Sequence, residues 1–190
     1  MTTPNQPYAA RLEIDYPENL DRLTTLFRLI WILPIVVIQS LVTSALWFAT
    51  VLMIVFRQRY PRWWFDFARE MARFGARVGA YAGLLTDTYP STVDEQSVHL
   101  EVDYPDVERD LNRWLPLVKW LLAIPHYVVL ALLWILAIAA VVVAWFAILI
   151  TGRYPRALFD FAVGVGRWTL RVNAYAFLLV TDRYPPFSLA

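Results

Sequence analysis

The sequence predicts an all-α membrane protein with short β segments, built as a tandem duplication of a strand–transmembrane helix–amphipathic helix unit. Three observations predict it. Two stretches lack Asp, Glu, Lys and Arg: 28 residues between Arg28 and Arg57, and 33 between Lys119 and Arg153. Hydrophobic residues make up 59% of the 190-residue chain and charged residues 17%, with a mean hydropathy of +0.47. Soluble domains run at roughly 45–50% and 25%. Finally, a set of short motifs occurs twice, in the same order.

Each half opens with an alternating segment, residues 11–16 and 99–104, which reads as a short strand stopped by a Tyr-Pro pair. Leu12-Glu13-Ile14-Asp15-Tyr16-Pro17 returns as Leu100-Glu101-Val102-Asp103-Tyr104-Pro105. Proline restricts the preceding residue to extended backbone, so each Tyr-Pro is a stop signal. All six such pairs fall within the repeated blocks, three per half.

The charge-free stretches come next. About 20 apolar residues cross a ~30 Å hydrocarbon core at 1.5 Å per residue. Each stretch exceeds one crossing and falls short of two. Pro34 and Pro125 are expected to break an interfacial lead-in from the span proper, giving spans of about 35–56 and 126–150. Trp31 and Trp120 near one end, with Tyr60, Trp63, Trp64 and Tyr154 near the other, suit the headgroup level. Residues 1–27 carry Glu13, Asp15, Glu18 and Asp21 without an apolar segment, so a cleaved leader does not fit.

A second helix follows each span, at about 63–86 and 157–181. At 100° per residue, Asp66, Glu70, Arg73 and Arg77 fall on one stripe, as do Asp160, Gly164, Arg167 and Arg171. The opposite face is small: Ala68, Ala72, Gly75, Gly79 and Ala82 in one helix, Ala162, Gly166, Thr169, Asn173 and Ala176 in the other. Such a face is expected to admit a close helix neighbour. Gly79→Leu is therefore expected to disrupt folding more than Leu84→Ala, which alters the charged side. The units then run over residues 1–90 and 99–190, with a polar linker at 91–98.

Two arrangements compete. With the second helices lying in the interface there are two spans, the units are inverted, and the strands lie on opposite sides. With the second helices crossing back there are four spans, and the strands share a side. Arginines near mid-membrane cost ~2.5–3.5 kcal/mol each on insertion scales, which favours the first arrangement. The duplication favours the second. Basic residues divide nine to eight between the two sides of a two-span chain, too evenly to orient it.

The chemistry available is narrow. There are no cysteines, which excludes disulfides and thiol catalysis. His99 and His126 are the only histidines, and no second ligand lies at metal spacing. His126 reads as a polar ring at the interface. Phosphate loops and nucleophile elbows are absent. Asp87 and Asp182, ahead of Tyr-Pro turns, read as turn or cap residues. A net charge of +1 gives no pull toward nucleic acid. The candidate contact residues are therefore the stripe: Asp66, Glu70, Arg73, Arg77, Asp160, Arg167 and Arg171. Expected partners are membrane lipids, anionic ones included, a second copy of the chain or other membrane proteins. No cofactor or metal is expected.

Two blocks carry a family resemblance. One is Ala147-Ile148-Leu149-Ile150-Thr151-Gly152-Arg153-Tyr154-Pro155-Arg156 with Leu158-Phe159-Asp160-Phe161. The other is Arg171-Val172-Asn173-Ala174-Tyr175-Ala176-Phe177-Leu178-Leu179, then Thr181-Asp182-Arg183-Tyr184-Pro185-Pro186-Phe187. They resemble the DUF4389 family of bacterial membrane proteins, which has no assigned function, and the resemblance spans both units. The first unit departs at Gln58, where the second has Gly152, and at Tyr89-Pro90, which no Pro-Phe follows. The resemblance implies a multi-pass protein of the cell membrane and supplies no catalytic residues. The reading it leaves is a non-enzymatic membrane component that binds lipids or partners. The alternative is a small transporter or channel component with an Arg/Asp path in a four-span bundle. An enzyme ranks third, because no nucleophile–base pair is visible.

Overall fold

The computed structural model describes residues 8–190, without the side chains of residues 29–31 and 44; Trp31 thus lies outside the described side chains. The chain is mostly helical. It runs β1 (Ala10–Ile14), α1 (Arg22–Leu52), α2 (Arg62–Ala82), β2 (Val98–Val102), α3 (Val107–Asp110), α4 (Pro116–Leu122), α5 (Ile124–Thr151) and α6 (Arg156–Ala176). A π-helical turn, Met53–Arg57, continues α1.

Pro34 does not break α1, contrary to the expected start near residue 35; the helix begins at Arg22, capped by the Asp21 side chain. The proline deletes one backbone bond, but packing holds the helix on both sides of it. Before it, Arg28 is anchored beneath α2 and Ile32 packs on Val78 and Tyr81; after it, Ile35 packs against the same cluster. Pro125 instead occupies the first turn of α5, where its missing N–H costs nothing.

Both apolar helices end in a left-handed residue, Gln58 (φ 49°) after the π-helical turn and Gly152 (φ 75°) after α5. Only glycine adopts that conformation without a Cβ penalty. Gln58→Gly is expected to raise the unfolding midpoint by about 1 kcal/mol of stability, and Gly152→Ala to lower it by a similar amount. Thermal unfolding in detergent checks both.

The second helices stop earlier than periodicity suggests, at Ala82 and Ala176. Each is closed by a leucine in the left-handed region, Leu84 (φ 61°) and Leu179 (φ 58°). The next N–H, Leu85 or Val180, donates back to Ala80 O or Ala174 O at 2.9 and 3.1 Å. Both leucines are buried, at 2% and 0% exposure. This reverses the expected ranking at positions 79 and 84. A Cβ on Gly79 would meet nothing within 4 Å, whereas Leu84 sits in the main core. Leu84→Ala is therefore expected to cost about 2–5 kcal/mol and Gly79→Leu well under 1 kcal/mol, read as unfolding midpoints. The small face does admit a neighbour at Gly75, whose place a Cβ would contest with the Gln39 side chain of α1.

The strands pair antiparallel, with Leu12 opposite Leu100 at the centre of the register. Inner residues Ala10, Leu12, Val98, Leu100 and Val102 join the core. Outer residues Glu13, Asp15, His99, Glu101 and Asp103 are exposed. Each strand lies against the second helix of the opposite half: β1 packs on α6 and β2 on α2.

α1 and α5 run side by side in opposite directions. Arg22 at the start of α1 donates to Ile150 O at the end of α5 (3.2 Å), and Trp145 Nε1 donates to Thr25 O (3.3 Å). Arg113, ahead of α4, donates to Val55 O in the π-helical turn (2.6 Å). α2 returns antiparallel along α1, from Trp64 Nε1 donating to Thr50 Oγ1 (2.9 Å) to Arg28 donating to Tyr81 O (3.4 Å). The sheet is level with the middle of these helices, because Arg73 and Arg167, midway along α2 and α6, donate to Leu100 O and Leu12 O, both at 2.9 Å. The two halves are thus inverted while their strands pair, a combination that neither sequence arrangement contained.

Candidate functional site

The stripe that the sequence singles out lies along α2 and α6. Its four arginines reach backbone carbonyls. Arg73 and Arg167 bond the strand of the opposite half, while Arg77 Nη1 and Arg171 Nη2 donate to Ser91 O and Ser188 O, each at 2.5 Å. Glu70 pairs with Arg73 (2.8 Å) and Arg69 (3.2 Å). Asp66 pairs with Arg69 (3.3 Å) and Arg62 (3.6 Å), and Asp160 with Arg156 (3.3 Å). The structure therefore brings the stripe residues together as matched sets that join helix, strand and loop. Gly164 stands where α2 has Glu70 because the chain end passes there: a Cβ would lie 2.9 Å from Leu189 O.

Two further clusters went unread in the sequence. Arg28 and Lys119, the cations that precede the two charge-free stretches, are fully buried. Arg28 pairs with Asp87, donates to Thr86 O (2.9 Å) and lies over the Tyr81 ring at 4.5 Å. Lys119 pairs with Asp182 (2.6 Å), donates to Thr181 O (2.9 Å) and lies over the Tyr175 ring at 5.2 Å. The second oxygen of each carboxylate accepts from a backbone N–H, of Asp21 (2.6 Å) or Asn112 (2.5 Å). Those two residues in turn accept from Leu23 N (2.7 Å) and Trp114 N (3.0 Å). Each cluster thus clasps the lead into an apolar run, the start of α1 or the short α4 ahead of α5, to the loop after the second helix. Asp87 and Asp182, read as turn residues, are the carboxylates of these clasps. The signal lay in the register: both cations stand six residues before the proline, at Pro34 and Pro125. Burial pushes the Lys119 ammonium below the usual lysine range, and Asp182 opposes that shift.

Other contacts repeat across the halves. Tyr16 Oη donates to Tyr154 O at 2.5 Å and Tyr104 Oη to Tyr60 O at 2.6 Å. Arg156 lies over the Tyr16 ring and Arg62 over Tyr104, at 4.5 and 4.6 Å. His126 is not an interfacial ring. It is fully buried, accepts from Trp168 Nε1 (3.0 Å) and stacks on Phe187 at 3.9 Å.

Burial also holds Tyr8, Tyr60 and Tyr154 protonated, with Tyr154 pushed up to about 12. In the unfolded chain a tyrosine ionises near its ordinary value, so the unfolded state releases protons first. Stability present below about pH 10 is then lost as pH rises through the folded values. For Tyr154 the loss by pH 12 is roughly 2 kcal/mol. Its hydroxyl has no hydrogen-bond partner among the described residues, so Tyr154→Phe is expected to be nearly neutral at pH 7 and to flatten the alkaline decline. Circular dichroism across pH 8–12 checks this.

The most extended surface belongs to α1 and α5. Val36, Val37, Ile38, Leu41, Phe48, Leu52 and Phe56 are exposed on or just beyond α1. On α5, Val128, Leu132, Ile135, Val142, Phe146 and Ile150 form a continuous exposed arc. Two segments, Ile32–Arg57 and Ile124–Thr151, are long and apolar enough to cross a membrane, and only 18% and 22% of their most apolar windows is buried. A soluble core helix would be mostly buried. Among the described residues no group of three His, Asp or Glu side chains could hold a metal ion.

Fold and surface together define a helical protein with two membrane-length apolar helices and a small paired-strand layer packed on the second helices. The chain belongs to the family described as Domain of unknown function (DUF4389), whose model matches residues 22–93 and again 114–188. No curated protein and no solved structure matches the chain.

Proposed function

We propose that the protein is a non-enzymatic component of the cell membrane that binds lipid or a membrane partner through the outer arcs of α1 and α5. Its halves are a tandem duplication of one strand–helix–helix unit. The observation that carries this reading is the pair of apolar arcs, which leave most of two membrane-length apolar segments uncovered. Exposed apolar patches of that extent mark lipid or protein contact. The twice-made contacts, clasp for clasp and tyrosine for tyrosine, support the duplication. Lipid contact passes from the arginine stripe to these arcs, since the stripe arginines are bonded to backbone carbonyls. The same bonds remove support from a transport path lined by the stripe.

Flotation with vesicles of phosphatidylcholine and phosphatidylglycerol tests the reading. The protein is expected to rise with the vesicles and to stay bound in high salt, because apolar contact is not screened as surface charge is. A chain that remains soluble and vesicle-free without detergent refutes it.

A further inference from the structure

We propose that α1 and α5 lie flat in one leaflet of the bilayer rather than crossing it. This rests on the reading of their outer arcs as lipid-facing.

The outer sheet face carries Arg11, Glu13, Asp15, His99, Glu101 and Asp103, all exposed except the half-buried Arg11. The sheet centre is level with the middle of α2 and α6 through the Arg73–Leu100 and Arg167–Leu12 bonds. Because α2 runs antiparallel to α1 from Thr50 back to Arg28, and a Cβ on Gly75 would meet the Gln39 side chain, Arg73 stands level with about the middle of α1 and inside the Ile32–Arg57 segment. If α1 and α5 crossed the membrane, this ionisable cluster would lie inside the hydrocarbon core. Charged side chains there are rare and face a protein interior or a wet cavity, whereas these face outward. The strand edges would also meet hydrocarbon, which open sheet edges do not do.

Laying the helices in the membrane plane removes the conflict. Packing runs in order from α1 and α5, to α2 and α6, to the strands. The apolar arcs then enter the acyl region while the sheet faces water. An amphipathic assembly is expected to sit in this way, with its apolar face sunk about 5–10 Å. The rims agree. Arg22, Arg57, Arg59 and Arg153 are exposed near the helix ends, as are Trp63, Trp114 and Trp120. In the flat pose all of these reach the headgroups of a single leaflet. A second copy is the less suitable occupant. The exposed arc of α5 is apolar from Val128 to Ile150, whereas even homodimer interfaces are only about 65% apolar.

The test uses the absence of cysteine. Arg59→Cys and Arg153→Cys mark opposite ends of the helix layer, and Glu13→Cys and Glu101→Cys mark the sheet. Each full-length variant is expressed, and sealed right-side-out and inside-out membrane vesicles are treated with a membrane-impermeant maleimide. The flat pose expects all four sites to react from the same side and none from the other. These positions are exposed, so their replacement leaves the core intact, and any two at opposite ends suffice. Reaction of Arg59→Cys and Arg153→Cys from opposite sides overturns the flat pose and leaves lipid binding standing. A soluble dimer that never enters the membrane fraction overturns both.

Discussion

Replacing Asp182 with Ala is expected to lower stability by about 3–5 kcal/mol, because it strands the fully buried Lys119 ammonium without its counter-charge. Asp87→Ala is expected to cost a similar amount by stranding Arg28. The two variants should part with pH. Burial already pushes Lys119 below its ordinary value of 10.5, so its unfolded state binds the proton more tightly than the folded state. Stability of the Asp182→Ala variant therefore rises with pH from the folded value of Lys119 toward about pH 10 as the lysine sheds its proton. Arginine keeps its charge throughout that range, so the Asp87→Ala variant gains nothing comparable. Pairing Lys119→Met with Asp182→Leu should restore part of the loss, since two apolar groups need no partner while Asn112 N–H and Thr181 O lose theirs. Urea or thermal unfolding in detergent between neutrality and pH 10 reads all of these. Equal behaviour of the two single variants with pH would show that Lys119 does not titrate in the clasp.

The double variant Arg73→Gln/Arg167→Gln is expected to cost roughly 3–6 kcal/mol, two charge-assisted bonds at about 1.5–3 kcal/mol each. These bonds fasten each second helix to the strand of the opposite half, so their loss should also free the sheet. Faster hydrogen exchange at Leu12 and Leu100 would show that locally. Lipid retained by the folded fraction should not change, because the arginines are bonded to carbonyls. Asp66→Asn is the control: its partners are surface cations at 3.3 and 3.6 Å, and such pairs are worth below about 1 kcal/mol. Loss of anionic lipid with an intact fold would return the stripe to its sequence-based role as a headgroup contact.

Much of the fold was legible because its signals are local. Charge-free length marked α1 and α5, alternation marked β1 and β2, and a 3.6-residue period marked α2 and α6. The misreadings also have local causes. Pro34 looked like a helix break because a proline removes one bond, and the sequence does not display the packing that holds α1 through it. Leu84 looked charged-side because the helical wheel was carried past Ala82, where a left-handed residue turns the chain inward. His126 looked interfacial because nothing nearby in sequence announces Trp168 and Phe187. The clasps were missed for a related reason. Arg28 and Asp87 stand 59 residues apart, and a lone cation beside an apolar run reads as a boundary.

By itself the sequence determined the type and order of the strand, the apolar helix and the second helix in each half, because hydropathy period, proline stops and repeated motifs act within a few residues; the short α3 and α4 were not among them. It also determined which surfaces are apolar and which are charged. Only the tertiary structure decided how the halves meet. The strands pair across an inverted arrangement, each second helix holds the strand of the other half, and the stripe arginines turn to backbone carbonyls. These outcomes depend on groups that local periodicity leaves unmatched, such as strand carbonyls, buried cations and loop carboxylates. A buried charge or an open hydrogen-bonding group must find a partner, and that partner is fixed by the packing of the whole chain.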